Sequence, residues 1–293
     1  MKRGQDLKAD EVLVGADGSR TGQEAADWAA HRANGRGLRL HLVRVVPEPS
    51  YYRVPARYGE AVVEAEALLD LERDRVAERH PTLQIVTSWQ PGEPEHVLSL
   101  LSVGAEIVVL GSDRSADRRG EGFGSVSFQT AIMCRSPVAV IPAPRVVGRI
   151  GVVVGIDGSA DSELALKMAA EEANRAGEEL TVLHAVPKTL TSADAVGRMG
   201  SDHRREPDPQ ALISEAAGSV REKFPALTVY EALESDDSPA DVLIRAARQA
   251  SLLVIGCWGR GGLRKPIGSI AEKVLMRLPC PTIITRPASG HAS

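Results

Sequence analysis

Residues 12–19 read V-L-V-G-A-D-G-S, and residues 152–159 read V-V-V-G-I-D-G-S. The two stretches lie 140 residues apart, and six of their eight positions are identical. The match continues without a gap as far as Leu40 and Leu180. Solenoid repeats have periods of roughly 20–50 residues, so a period this long indicates duplicated domains. We therefore predict two copies of one unit, residues 1–145 and residues 146–293.

Composition narrows the classes of protein to which this chain can belong. The 293 residues carry a net charge of −4 and only 3% aromatic side chains, which disfavours a nucleic-acid-binding surface. The three cysteines, Cys134, Cys257 and Cys280, have no metal-ligand spacing and suit a reducing compartment. The first residues lack the apolar stretch of a signal peptide, and no apolar run reaches the roughly 18 residues of a membrane span. We expect a cytoplasmic protein with no nucleic-acid or membrane partner.

Apolar runs alternate with helical segments in both copies. Runs such as 11–16 and 106–111 are continuously apolar, which is typical of strands buried on both faces of a parallel sheet. The predicted strands are 11–16, 39–46, 82–88, 106–111 and 137–141, then 151–156, 179–186, 226–232, 251–256 and 281–285. A long amphipathic helix is predicted at 59–79. The alternation predicts an α/β fold in which each copy is a doubly wound, five-stranded parallel sheet.

A ligand site is predicted at one edge of each sheet. In open α/β sheets, ligands bind beyond the carboxyl ends of the strands, where the strand order reverses. Asp17 and Asp157 follow the first strands and can accept hydrogen bonds from a base amine or a ribose hydroxyl. A Gly-Ser pair that opens a helix offers backbone N–H groups to an anion. The loop after the fourth strand carries Gly111, Gly124 and Ser125 in copy one, and Gly256, Gly259, Gly268 and Ser269 in copy two. Together these residues predict a mononucleotide site.

At these residues the chain resembles the universal stress protein family in its tandem form. Nucleotide-binding members of that family carry G-x2-G-x9-G-[S/T] in this loop and an Asp after the first strand. The Val-Gly-x-Asp-Gly-Ser openings and the ending at Cys280–Ile284 also match, and the resemblance covers about residues 8–145 and 149–287. It implies the adenine nucleotide α-hydrolase-like fold and a role in the stress response. It also implies ATP as the bound cofactor, alone or with Mg²⁺.

The resemblance also assigns roles to individual residues. Asp17 and Asp157 would meet the adenine or the ribose, and the main chain at Val45 and Ala185 would contact the adenine edge. Ribose and phosphates would be held by Gly111, Gly124, Ser125 and Ser127 in copy one, and by Gly256, Gly259, Gly268 and Ser269 in copy two. The neighbouring residues Ala16, Arg114, Val126, Ile156 and Ile270 complete the predicted binding set.

Both copies depart from the family pattern. In copy one, Arg114 stands where the second loop glycine belongs, and Asp113 precedes it. Arg114 either pairs with a phosphate or fills the space that the phosphate would need, and we favour the second alternative. In copy two, the spacer after Gly259 is one residue shorter than in the family motif, and Ala271 replaces Ser127.

Simpler roles remain open for the same residues. Asp17 and Asp157 could only cap the following helix, and the Gly-Ser pairs could be ordinary helix N-caps. Three functions compete: an ATP-binding regulatory protein, a nucleotide-free dimeric scaffold, and an adenylating enzyme. The adenylating enzymes carry Ser-Gly-Gly-x-Asp/Ser at the first turn, which residues 15–19 do not match. No general base or nucleophile stands out, so we expect no enzyme and at most slow ATP hydrolysis. We also expect the two copies to form an intramolecular pseudo-dimer through their last strands, and a homodimer is a further candidate assembly.

Overall fold

The computed structural model describes residues 10–113, 126–143, 148–187, 208–236, 238–259 and 266–287. The chain forms two compact units, which divide between Arg145 and Val146. None of the helices in the described ranges combines the length and the apolar character that a membrane-spanning segment needs.

Each unit alternates strands and helices. The first contains β1 Glu11–Gly15, α1 Arg20–Arg36, β2 Arg39–Val46, a 3-10 turn Pro49–Tyr51, α2 Pro55–Arg79, β3 Ile85–Pro91, α3 Pro94–Leu101, β4 Ile107–Asp113, α4 Val126–Met133 and β5 Val138–Ala143. The second contains β6 Val152–Gly155, α5 Ala160–Ala176, β7 Leu180–Pro187, α6 Pro209–Lys223, β8 Val229–Asp236, α7 Pro239–Ala247, β9 Leu252–Gly256, α8 Ser269–Arg277 and β10 Thr282–Thr285.

The five strands of each unit are parallel and follow the same order. That order is β3-β2-β1-β4-β5 in the first unit and β8-β7-β6-β9-β10 in the second. In the first unit α1 and α2 pack on one face of the sheet, and α3 and α4 pack together on the other. The predicted doubly wound parallel sheet is therefore confirmed. The direction of winding reverses between the first and fourth strands, which places the switch point there.

Helices α1 and α5 begin and end in the same way. The hydroxyl oxygens of Ser19 and Ser159 cap the helices by accepting backbone N–H groups at 3.0 and 3.2 Å. Gly37 and Gly177 end the helices in the left-handed region, at φ of 65° and 66°. Between these ends, each helix presents fully buried alanines to its sheet. The duplicated sequence therefore encodes the helix boundaries as well as the strands.

Strands β3 and β8 and helix α2 differ most from their predicted bounds. Strands β3 and β8 begin three residues later than expected because hydrogen-bonded turns, Leu83 to His80 and Leu227 to Phe224, follow the preceding helices. Both strands also run longer at their carboxyl ends, where they stay paired with the second strand of their sheet. Helix α2 begins at Pro55 rather than at residue 59, since proline fits the first helical turn.

A cluster of charged side chains is buried at the amino end of the first sheet. Arg32 is 1% exposed and its Nη2 lies 2.9 Å from Glu106 Oε1. Glu11 is also buried, and it accepts Arg39 Nη2 at 2.5 Å and lies 3.6 Å from His41 Nδ1. Burial and, to a smaller extent, the positive charge of Arg39 lower the pKa of His41 to about 4. Because Glu11 is already neutralised by Arg39, its carboxylate does not reverse this shift. His41 therefore stays neutral in the folded unit at physiological pH.

The lowered pKa of His41 makes stability depend on pH. Between pH 6.5 and about 4 the unfolded chain binds a proton at His41 that the folded chain does not. Above pH 6.5, His41 therefore takes nothing from the free energy of unfolding. As pH falls from 6.5 toward 4, the neutral His41 lowers the free energy of unfolding by on the order of 2–3 kcal/mol. Denaturant unfolding above pH 6.5 and near pH 4 measures this loss of stability. His41→Thr, which copies Thr181 of the second unit, is the control and should weaken less on acidification. An equal pH effect in both proteins would contradict the assignment.

The position of β5 at the end of the first unit's strand order leads to a second prediction. Expressed alone, residues 1–145 would carry β5 with backbone N–H and C=O groups unpaired on its outer side. Such an edge favours pairing with another chain. Covalent joining to the second copy would make that pairing intramolecular, at a high effective concentration. We expect the fragment to be dimeric or to aggregate in size-exclusion chromatography. A well-behaved monomer would contradict the expected pseudo-dimer.

Candidate functional site

The predicted site residues meet at the carboxyl edge of each sheet, between the first and fourth strands. Strand β1 pairs with β4 through Val14 and Val109, and β6 pairs with β9 through Val154 and Val254. The residues that follow these pairs at the same edge are Ala16, Asp17 and Gly111 in the first unit, and Ile156, Asp157 and Gly256 in the second. The sequence therefore brings its predicted acid and its first loop glycine together in both units.

Asp17 organises the turn that leads into α1. Its Oδ1 accepts the Ser19 backbone N–H at 2.9 Å and the Ser19 hydroxyl at 2.6 Å. Gly18 adopts a φ of 79°, a conformation that side chains disfavour. The helix cap is Ser19, which accepts the Gly22 N–H, so Asp17 is not itself the capping residue. Both bonds of the turn use Oδ1, so the turn does not engage Oδ2.

The second unit repeats this turn. Asp157 Oδ1 accepts the Ser159 N–H at 2.9 Å and the Ser159 hydroxyl at 2.6 Å, and Gly158 has a φ of 76°. Asp157 is half-buried, whereas Asp17 is exposed. The same carboxylate therefore has a less hydrated environment in the second unit, where a hydrogen bond to a ligand is stronger.

The second strand runs past the end of the first strand. Gly15 is the last β1 residue to pair, opposite Val43, and the Ala16 N–H then bonds the Val43 carbonyl at 2.8 Å. Backbone groups of alternate residues in a strand point the same way, so Val45 also directs its N–H and C=O toward the β1 side. Because β1 has ended there, these groups face the open sheet edge.

Ala185 occupies the same place in the second unit. The Ile156 N–H bonds the Leu183 carbonyl at 2.9 Å, and Ala185 follows two residues later on the same side of β7. His184 Nδ1 lies 2.7 Å from the Ile156 carbonyl oxygen, so the ring donates to the main chain. His184 therefore supports the end of β6.

Gly111 and Gly256 allow the fourth strand to approach the first helix. A Cβ on Gly111 would overlap the Thr21 carbonyl group and lie 2.8 Å from the Gly22 nitrogen. A Cβ on Gly256 would lie 3.0 Å from the Asp161 carbonyl carbon. Both glycines are thus explained by helix–strand packing, independently of any phosphate. This close contact also holds the end of the fourth strand beside the Asp-Gly-Ser turn.

Gly259 packs directly on the acid of the second unit. A Cβ at this position would lie 2.6 Å from Asp157 Oδ2. Further along the loop, the Gly268 N–H bonds the Cys257 carbonyl at 2.8 Å and returns the chain to the sheet edge. A residue larger than glycine at 259 would displace either the loop or the carboxylate.

The last helix of the second unit begins at this edge. Gly268 has extended backbone angles, and no side chain caps the first turn of α8. Ser269 and Ile270 are exposed there, as is Val126 at the start of α4 in the first unit. Ser127 and its counterpart Ala271 are both buried, so the hydroxyl that distinguishes the two copies lies inside the fold. Arg114, Gly124 and Ser125 lie outside the described residues.

The comparison with known sequences settles the family. The model of the universal stress protein family matches residues 8–142 and 151–286. The chain belongs to the universal stress protein family. A universal stress protein of Mycobacterium tuberculosis is 32% identical over 295 residues, covering 94% of this chain and 96% of the relative. Another, of Mycolicibacterium smegmatis, is 29% identical over 296 residues, covering 94% and 97%.

A solved structure agrees with the fold of this universal stress protein. The crystal structure of a universal stress protein from Archaeoglobus fulgidus matches with a TM-score of 0.75 at 19% identity, covering 96% of this chain and 99% of that one. The predicted tandem architecture of the family is thereby confirmed.

Beside the loop of the second unit, the described thiol of Cys257 is poorly suited to act as a nucleophile. Burial raises the pKa of the Cys257 thiol to about 11, which keeps it protonated at neutral pH. Its sulfur lies 3.7 Å from the Pro266 carbonyl oxygen. Across the described ranges, no three His, Cys, Asp or Glu side chains gather as a metal-binding group.

Two residues at the second site were missed by the sequence analysis. Asp161 Oδ2 accepts the Trp258 N–H at 2.9 Å, and the Arg286 guanidinium lies 5.3 Å from the centre of the Trp258 ring. The sequence does contain a signal for these two residues, because the copies differ there. Thr21 stands in place of Asp161, and Pro142 stands in place of Arg286. Neither difference falls within the family motif, so the motif alone could not reveal them.

The packing of Gly111 can be separated from ligand binding. We expect Gly111→Ala to lower the free energy of unfolding by about 1–3 kcal/mol without nucleotide, because its Cβ meets rigid backbone. Gly218→Ala in α6, where a Cβ meets no atom within 4 Å, is the control and should raise stability by about 0.5–1 kcal/mol. Denaturant unfolding of both variants tests this. Unchanged stability of Gly111→Ala would instead favour a role in ligand binding alone.

Proposed function

We propose that this universal stress protein binds ATP and acts as a regulatory protein of the stress response. Binding would act through conformation or through partner proteins. The observation that carries the proposal is the convergence, at the switch point of the second unit, of Asp157, the main chain of Ala185 and the uncapped start of α8. Each of these groups suits a different part of an adenine nucleotide.

The main chain of the second strand suits the base. Adenine carries a ring-nitrogen acceptor beside an amine donor. The N–H and C=O of Ala185 point together beyond the end of β6 and complement that pair. Val45 offers the same arrangement in the first unit. Asp157 then lies between the base and the loop, where a carboxylate can accept ribose hydroxyls.

The start of α8 suits the phosphates. A helix N-terminus carries partial positive charge and N–H groups that lack intrahelical partners. Gly268 lets this helix start lie close to the Cys257 carbonyl, where a Cβ would come within 3.0 Å of the oxygen, and the exposed Ser269 adds a hydroxyl. We propose Mg²⁺ only as a companion of the phosphates, because the described acids form no separate metal site.

ATP would be an effector more than a substrate. A hydrolytic site needs a base near the γ-phosphate, with a pKa near the working pH. Of the candidates described beside the second site, the Cys257 thiol stays protonated, and His184 is bonded to the Ile156 carbonyl at the strand end proposed for the base rather than at the start of α8. We therefore propose at most slow hydrolysis and no enzymatic role.

The first unit favours a second function, contact with a partner protein. Its exposed apolar residues Leu100, Val103 and Met133 lie where Ser99 Oγ on α3 bonds the Met133 carbonyl at 2.9 Å. The second unit carries arginines at the three equivalent positions, Arg245, Arg248 and Arg277. This difference, together with Arg114 in place of a loop glycine, suits an interaction unit beside a nucleotide-binding one. Homodimerisation is one form that such contact could take.

Nucleotide retention distinguishes the two functions. Small molecules released from the purified, denatured protein are identified by mass spectrometry, and the stripped protein is titrated with ATP by calorimetry. Retained adenine nucleotide and saturable binding support the first function. A protein that carries none and shows no heat of binding overturns it and favours the nucleotide-free scaffold.

The acids of the two units should not contribute equally. We expect Asp157→Ala to weaken ATP binding by about 1–3 kcal/mol, roughly 5- to 150-fold, because a half-buried hydrogen bond is lost. Asp17→Ala should weaken it less, since Asp17 is exposed and arginine replaces the second loop glycine in that copy. Asp157→Asn keeps the Oδ1 acceptor of the turn and separates ligand binding from local folding. Equal calorimetric effects of the two alanine variants would contradict this ranking.

A further inference from the structure

The loop of the second unit is held at both of its ends by side chains outside the family motif. At the near end, the Trp258 N–H bonds Asp161 Oδ2 at 2.9 Å. At the far end, Arg286 Nη1 donates to the Pro266 carbonyl at 3.3 Å. Arg286 also joins the two ends, because its guanidinium lies 5.3 Å from the centre of the Trp258 ring. We call Asp161, Trp258 and Arg286 the clasp.

The clasp is anchored in rigid parts of the fold. Arg286 is only 9% exposed and directly follows β10. Asp161 lies in the first turn of α5, and its carbonyl accepts the Thr285 hydroxyl at 3.3 Å. The helix start, the strand end and both loop ends are therefore connected through a few adjacent side chains.

The first unit has no equivalent of the clasp. By the offsets of the repeat, Thr21 replaces Asp161, Asp113 replaces Trp258 and Pro142 replaces Arg286. The Thr21 hydroxyl lies 2.9 Å from Ser19 Oγ, within its own helix start. Aspartate has no aromatic ring and proline has no cation, so the cation–π contact cannot form. All three clasp positions therefore differ between the two copies.

The clasp fixes the spacing between the groups that face the ligand. Gly259 follows Trp258 and lies against Asp157, and Gly268 follows Pro266 by two residues and begins α8. Holding Trp258 and Pro266 therefore sets the distance from the acid to the helix start before any ligand arrives. A site that is ordered in advance pays less entropy on binding.

We propose that Asp161, Trp258 and Arg286 are positioning residues that set the nucleotide affinity of the second unit by fixing Trp258 and Pro266, and with them Gly259 and Gly268, in place beside Asp157. This inference rests on the proposed ATP binding and extends it by assigning the higher affinity to residues that the motif does not specify. The first unit, without a clasp, is the weaker site.

Tryptophan fluorescence and calorimetry together test the clasp. The background is the full chain with Trp28→Phe and Trp89→Phe, which leaves Trp258 as the only tryptophan, and with Asp17→Ala, so that titration reports the second unit. Arg286→Met removes the cation and its hydrogen bond, Arg286→Lys keeps the charge without the planar group, and Asp161→Thr copies the first unit. Arg277→Met, an exposed arginine on α8, is the matched control.

We expect acrylamide to quench Trp258 more strongly in Arg286→Met and Asp161→Thr than in the background, without nucleotide. ATP affinity should fall about 5- to 30-fold in the same variants and less in Arg286→Lys. Arg277→Met should change neither quantity. Circular dichroism confirms folding, and Arg286→Lys serves where Arg286→Met is unfolded.

The other outcomes overturn the inference in different ways. Unchanged quenching in the variants would show that no clasp holds Trp258. Raised quenching with unchanged affinity would show that the clasp does not control the site. A background protein that binds no ATP would overturn the proposed function, and the affinity role with it, while the quenching data still report whether the clasp exists.

Discussion

The contact between the fourth strand and the start of the first helix is the constraint on which both candidate sites depend. Gly111 lies against the Thr21 carbonyl, and Gly256 lies against Asp161. A larger residue at 111 would push the strand end away from the helix start, and one at 256 would need a shift of a few tenths of an ångström. The strand end and the Asp-Gly-Ser turn would then no longer meet as closely. A packing requirement in the sheet thus creates the place where a ligand can bind.

The two units share this frame and differ in what they build on it. In the second unit, glycine at 259 lets the loop lie on the Asp157 carboxylate, and arginine and tryptophan side chains hold the loop ends. In the first unit, Arg114 stands in place of Gly259, Asp113 in place of Trp258 and Pro142 in place of Arg286. Exposed apolar side chains are found there on α3 and α4. Duplication therefore preserved the backbone and allowed the surfaces to diverge. The proposed function assigns a small ligand to one copy and a larger partner to the other.

Much of the fold could be predicted from the sequence because its signals are local. The continuous apolar runs at 11–16 and 106–111 identify buried strands, and the repeat extends each assignment to the second copy. The switch-point rule then places Asp17 and Asp157 correctly at the carboxyl edge. The late start of β3 was missed because Leu83, which closes the turn with His80, reads as part of the apolar run that begins at Ile85.

The finer features of the site could not be predicted, because they join residues far apart in the chain. Gly111 contacts a helix start 90 residues earlier, and its role in packing is invisible in the loop motif that contains it. Asp161 and Arg286 meet Trp258 only after β9 and β10 are paired beside α5. A motif records residues near one another in sequence, whereas these contacts depend on the assembled sheet.

The buried charges at the amino end of the first sheet have a consequence for how a duplicated chain avoids mispairing. Two similar halves risk exchanging strands as they fold, since β1 and β6 present nearly the same apolar sequence. Glu11 of β1 stands opposite Arg39 of β2 in the native register. If β1 instead paired with β7 in that register, Glu11 would face Glu179, and like charges opposite each other oppose pairing. This difference in charge therefore favours pairing of β1 with β2 of its own unit over pairing with β7.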